Sequence, residues 1–212
     1  MNSSLRPLTT EILTRLQEKD SSIDWIMLSK VYKLSEEFIN NYQDKVNWYD
    51  ISWYQQLSEE FITQHQDQVN WINISRYQQL SEEFIIAHQD RVDWINISGN
   101  QKVSEECIIA HQDQVSWINI SGYQQLSEEF INNYQDRVCW LGISGRQKLS
   151  EEFIARHRDK VDWRYISSFQ QLSEEFIITH LRKLDLDVIR VRYPEVYDKY
   201  YLGVFEGMTT YK

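Results

Sequence analysis

Residues 71–93 read WINISRYQQLSEEFIIAHQDRVD, and Trp94 opens the same phrase again. Trp recurs at 25, 48, 71, 94, 117, 140 and 163, every gap being 23 residues. With Trp as position 1, seven repeats follow without insertion or deletion: 25–47, 48–70, 71–93, 94–116, 117–139, 140–162 and 163–185. A fixed period of this length marks an architecture in which no repeat buries its apolar side alone and stacking makes a continuous core.

Two short helices per repeat account for the columns. Position 11 is always Ser and positions 12 and 13 are always Glu. Ser caps a helix by accepting from an unpaired backbone N–H, and acidic side chains in the first turn complement the helix dipole. Leu or Val at position 10 and Ile at position 15 have the spacing of a hydrophobic staple across that cap. The other helix repeats this grammar. Asn47, Asn70, Asp93, Ser116 and Asp162 at position 23 cap it, Trp is its first residue, and Val at position 22 staples to Ile at position 4. Gly99, Gly122 and Gly145 at position 6 are expected to end it after two turns. Ser-Glu-Glu-Phe-Ile with caps, and the lack of a leucine and Asn ladder, favour helices over a leucine-rich repeat. The predicted fold is all-α, a solenoid of seven two-helix repeats with terminal caps.

The ends depart from the period. Within residues 1–24, Thr9 caps an expected helix over residues 9–19, with Leu8 and Leu13 as its staple. In residues 186–212, Leu184, Asp185, Leu186 and Ile189 match the staple, cap, Trp and Ile columns, which predicts the first helix of a degenerate eighth repeat. Pro194 and Glu195 open a further helix that Gly203 would close. Alternation of Ile189, Val191 and Tyr193 with Arg190 and Arg192 is the competing signal for a strand. The tail, with Tyr200 and Tyr201, reads as a cap or a contact between copies.

Composition narrows the function. The net charge of −10 argues against phosphate backbones as partners. Two cysteines, Cys107 and Cys139, make no disulfide framework and point to a reducing, intracellular setting. No apolar run has the roughly 18 residues that cross a membrane. The N-terminus lacks the apolar stretch of a signal peptide.

Each chemical column has a plainer structural reading. All five histidines, His65, His88, His111, His157 and His180, fall at position 18. Stacked helices lie about 8–10 Å apart, too far for neighbouring imidazoles to share an ion bound at about 2 Å. Tyr42 and Tyr134 also fill that column, as a packed ring can and a zinc ligand cannot. Fourteen glutamates in seven equivalent Glu-Glu pairs lack the unlike environments that acid–base catalysis requires. Lys45, Arg91, Arg137, Lys160 and Lys183 at position 21 follow Asp or Arg at position 20 and read as a charge-balanced edge. The Trp column reads as core. No catalytic residue, cofactor site or metal site is expected.

Variation between repeats is concentrated at positions 3, 6, 7, 16 and 17. Trp53 lies outside the Trp column, where other repeats have Lys, Arg, Gly or Ser, and is expected to be exposed. Ile86 and Ile109 stand at position 16 of adjacent repeats and are expected to form an apolar patch. Together with Tyr200 and Tyr201 these are the candidate contacts to a protein partner.

The pattern W-x-x-I-S-x-x-Q-x-L-S-E-E-F-I-x-x-H-x-D-x-V of Trp71 to Val92 resembles short tandem repeats in proteins of large nucleocytoplasmic DNA viruses of amoebae, of the mimivirus and marseillevirus kind. The likeness covers residues 25–185. It implies work inside an infected host cell or in the virion, with no activity attached to any residue. The combined expectation is a non-catalytic scaffold for protein–protein interaction, or a self-assembling structural component, binding neither nucleic acid nor membrane.

Overall fold

The computed structural model describes residues 5–18 and 22–202. Each repeat contributes two helices. The first spans positions 1–7, as in Trp71–Tyr77, and the second positions 12–17, as in Glu82–Ala87, with one extra residue in Glu174–His180. Among the described residues there is no strand, only an isolated parallel bridge between Arg6 and Tyr32. The chain divides into two compact units, Met1–Val115 and Ser116–Lys212. In the first, the first helices of repeats 1 to 4 pack side by side in chain order; in the second, those of repeats 5, 6 and 7 do the same, followed by the helix Leu186–Arg192.

The caps form as the sequence predicts. Ser81 accepts from Phe84 N at 3.1 Å, and Asn70 accepts from Asn73 N at 2.9 Å. Cys139 makes no side-chain cap bond, because a thiol is a poor acceptor. Thr9 caps the helix Thr10–Gln17. Asp185 caps Leu186–Arg192, so the eighth repeat's first helix forms and the strand does not. A helix Pro194–Tyr197 then opens on Pro194, while Gly203 lies outside the described residues.

The glycines do not end helices. The first helix runs one residue past them to position 7, and an extended Gln at position 8 ends it. At Gly145 the reason for Gly is packing: a Cβ there would stand 2.5 Å from the Tyr165 ring of the next repeat.

Ile at positions 4 and 15 is almost wholly buried, with Leu at 10, Phe at 14 and Val at 22 close behind. The Trp column departs from the core reading: Trp94 is buried, at 6% exposure, while the other six are half-buried. Repeat 4 is the one with Cys107 in the Phe column, and the small thiol leaves room for the indole to sink onto His111, ring centroids 4.1 Å apart.

Three polar side chains bind the stack. Ser52 at position 5 donates to Trp48 O at 2.7 Å and accepts from Asn70 N at 2.9 Å, tying both ends of its repeat. Glu59 at position 12 accepts from Ser81 N and Ser81 Oγ of the next repeat at 2.5 and 3.0 Å. Gln78 at position 8 is buried; its Oε1 accepts from Leu57 N at 3.0 Å, and its Nε2 donates to Ser52 O at 3.0 Å and Gln55 O at 2.8 Å. One amide thus satisfies backbone groups of the preceding repeat, two of them carbonyls at the helix end that has no internal partners. Gln55, Gln101, Gln147 and Gln170 do the same. At the end of the series the Tyr193 hydroxyl takes over, accepting from Leu172 N at 3.0 Å. At the start, Arg6 bonds to Val31 O and Lys33 N at 2.9 and 2.7 Å.

Candidate interaction surface

The chemical columns sit where packing needs them. Each position-18 ring lies against the Trp of its own repeat, from Trp25–Tyr42 at 5.2 Å to Trp163–His180 at 5.3 Å. His65 Nε2 is 2.6 Å from Asn40 Oδ1, and its Nδ1 is 2.8 Å from Gln68 Oε1. No group of three His, Cys, Asp or Glu among the described residues is placed to hold a metal ion. In repeats 1 to 6 the first Glu of each pair is half-buried, and those of repeats 1, 2, 3, 5 and 6 accept from the Ser cap of the next repeat; Glu174 in repeat 7 is exposed and pairs with Lys199, and the second Glu is exposed throughout. Lys45, Arg137, Lys160 and Lys183 lie over the indole of their own repeat at 5.3–5.8 Å. Arg91, Lys160 and Lys183 also pair with the position-20 Asp one repeat earlier, so this edge is balanced as expected.

Burial displaces the titration of Cys107 and of His157. Burial pushes the Cys107 thiol up to about 11, with Glu82 adding, which leaves it a neutral core group. His157 is buried with Nε2 unbonded, and burial lowers its pKa, aided by Lys160 and Arg156 and opposed by Glu128. An imidazole whose folded pKa is depressed contributes stability above its unfolded value, and that stability is lost as pH falls through the unfolded towards the folded value. Wild type should therefore lose more thermal stability than His157→Tyr between pH 7.5 and 5, roughly the range over which a free imidazole titrates. Tyr already occupies this column at Tyr42 and Tyr134. Parallel pH profiles for the two proteins would show that His157 does not contribute.

The candidate contacts divide. Ile86 and Ile109 are exposed on successive second helices. Trp53 is not freely exposed: it is half-buried, stacked on Tyr54 at 5.4 Å and Tyr77 at 4.8 Å, with Tyr49 at 5.8 Å. It gains this shelter because repeats 2 and 3 supply aromatics beside it. Tyr200 is half-buried under Lys199, whose charge is favoured by hydrogen bonds to Glu174 and Tyr200. Tyr201 lies in the one-turn helix Asp198–Leu202, and its side chain is outside the described residues.

Among the described residues, position 2, a column the sequence reading passed over, holds more exposed large apolar side chains than any other column. Ile26, Tyr49, Ile72 and Ile95 in the first unit, and Ile118 and Leu141 in the second, are all exposed, Ile118 at 71%. The signal was there, since position 2 is apolar in six of seven repeats, but an invariably large residue beside an invariant Trp reads as core. Position 2 faces outward because positions 1, 4 and 5 face in, and position 6 shares its stripe one turn on. Met27, Tyr77, Tyr123 and Phe169 extend the apolar surface around it.

No family model, curated protein or solved structure matches this chain.

Charge separates between the two helix rows. Positions 1–9 of the seven repeats hold seven Lys and Arg against one acidic residue, Asp50. Asp50 is buried, and its pKa is raised by burial, with Lys30 opposing. Lys30 lies over Tyr54 and Arg76 over Tyr77. All fourteen repeat glutamates belong to the second helices. The net charge of −10 is therefore not spread evenly along each repeat. Among the described residues, no helix is long and apolar enough to cross a membrane.

Proposed function

We propose that the chain is a non-catalytic repeat scaffold that presents its first-helix face to a protein partner. The observation that supports this most is the row of exposed position-2 side chains, Ile26, Tyr49, Ile72 and Ile95, the first three on helices whose C-terminal carbonyls are bonded by the next repeat's glutamine. Exposed apolar surface of this continuity is characteristic of interaction sites. Lys and Arg between the apolar residues select for a segment with acidic and large apolar side chains. The variable positions 3, 6 and 7 differ from repeat to repeat and would supply specificity. Following the resemblance of the repeats, the setting proposed is an infected host cell or the virion.

Affinity purification from the native cell tests this with two baits, the wild type and Ile72→Asp/Ile95→Asp. The wild type should recover a reproducible partner, and the variant should recover about tenfold less or worse, equivalent to about 1.4 kcal/mol. Nuclease treatment of the lysate should leave the capture unchanged. Equal recovery by the two baits would place binding elsewhere on the chain.

The second reading is a self-assembling structural component. The observation favouring it is that both helix rows carry the same 23-residue period with opposite charge.

A further inference from the structure

We infer that the first-helix face of one copy seats on the second-helix face of another copy. This rests on the reading of the first-helix face as a docking surface and names one occupant for it. Within the unit Met1–Val115, that face shows Ile72 and Ile95, both exposed, with Arg76 on the same stripe as Ile72. The second-helix face of the same unit shows Ile86 and Ile109, also exposed, with Ala87 and Ala110 beside them. Around these stand the exposed second glutamates, Glu83 and Glu106.

Three features make the faces complementary. Both have an apolar centre: isoleucines on one, isoleucine and alanine on the other, the small alanines leaving room for a facing side chain. Their charges are opposite in sign, guanidinium and ammonium on one and carboxylate on the other, so approach in this orientation is favoured and acidic face on acidic face is repelled. They also share one step. Ile86 and Ile109, like Ile72 and Ile95, are 23 residues apart in sequence, so each face offers its apolar residue twice within the unit. A patch of one copy meeting a different patch of the next is a heterologous contact, which leaves a free face at each end and can continue into an open assembly.

The test uses two full-length variants at exposed positions. Ile72→Asp/Ile95→Asp spoils the first-helix face, and Ile86→Asp/Ile109→Asp spoils the second. Helical circular dichroism matching the wild type confirms that each is folded. Sedimentation or light scattering of the wild type at high protein concentration should give at least twice the monomer mass. Raising salt from about 0.1 M to about 1 M should reduce that mass, because screening shortens from about 10 Å to about 3 Å. Each variant alone should be monomeric, and an equimolar mixture should form a one-to-one pair that grows no further, because each supplies the face the other lacks. A strictly monomeric wild type would overturn the inference, as would dimerisation of the second-helix variant alone, which would mean that like faces pair. If the wild type is monomeric but the first-helix variant still loses a captured partner, the self-contact is wrong and the scaffold reading stands. If the wild type assembles and capture is equal for both baits, the reverse holds.

Discussion

Trp94→Ala should destabilise the fold by about 3–5 kcal/mol, the range for emptying a core site of a large aromatic. Trp94 is the one buried member of its column, and it fills space that a Phe occupies in the other repeats. Its indole also donates to Gln89 O at 3.1 Å, so truncation removes a bond between repeats along with the packing. Trp48→Ala should cost distinctly less, because Trp48 is half-buried and Phe61 already fills the site beneath it. Denaturant titration of the two variants measures the difference. A loss below about 0.5 kcal/mol for Trp94→Ala would equal that of an ordinary surface substitution and would remove Trp94 from the core.

Gln101→Leu should cost about 3 kcal/mol or more, although it adds apolar volume to a buried site. The substitution leaves Leu80 N, Ser75 O and Gln78 O without the amide that now serves them. A buried polar group stripped of its partner costs roughly 1–3 kcal/mol. Gln101→Glu should be at least as damaging, since a carboxylate cannot donate to two carbonyls. Gln79→Leu, at the exposed neighbouring position, is the control and should change little. If Gln101→Leu unfolded at the same denaturant concentration as the wild type, the glutamine column would be incidental to the stack.

Much of the fold was legible because it is local. Ser caps, Glu in the first turn and stapled Leu and Ile act within a few residues, and the 23-residue period repeats them until chance is excluded. The eighth repeat's first helix was readable for the same reason, from Leu184, Asp185, Leu186 and Ile189. What sequence did not yield depends on contacts between repeats. Gln at position 8 reads as a polar loop residue until the preceding repeat brings its backbone groups to it. Glu59 reads as helix-dipole chemistry until Ser81 of the next repeat comes within 2.5 Å. Gly145 reads as a helix stop until the ring of Tyr165 occupies the space a side chain would need.

The candidate surface was harder to read, because exposure depends on which side of the helix faces the neighbour. Ile86 and Ile109 were found because their column varies between polar and apolar residues, and position 2 was missed because a large residue beside the Trp in every repeat reads as core. Trp53 was found for its singularity, but the shelter given it by Tyr54 and Tyr77 depends on packing that no single repeat reveals. The polar columns also bear on the proposed docking surface. A surface whose loops are already ordered gives up less conformational freedom on binding.

Residue-resolved hydrogen exchange tests most directly the claim that a rigid frame displays this surface. Leu57, Leu80 and Leu149 lie outside helices, yet each donates its N–H to a glutamine of the following repeat. These amides should exchange as slowly as the helical amides of Ile74 and Ile97, and Gln101→Leu should release Leu80 selectively. Exchange of Leu57, Leu80 and Leu149 at the rate of free loop amides would contradict the account, leaving helix pairs joined by loose connections in place of a locked stack.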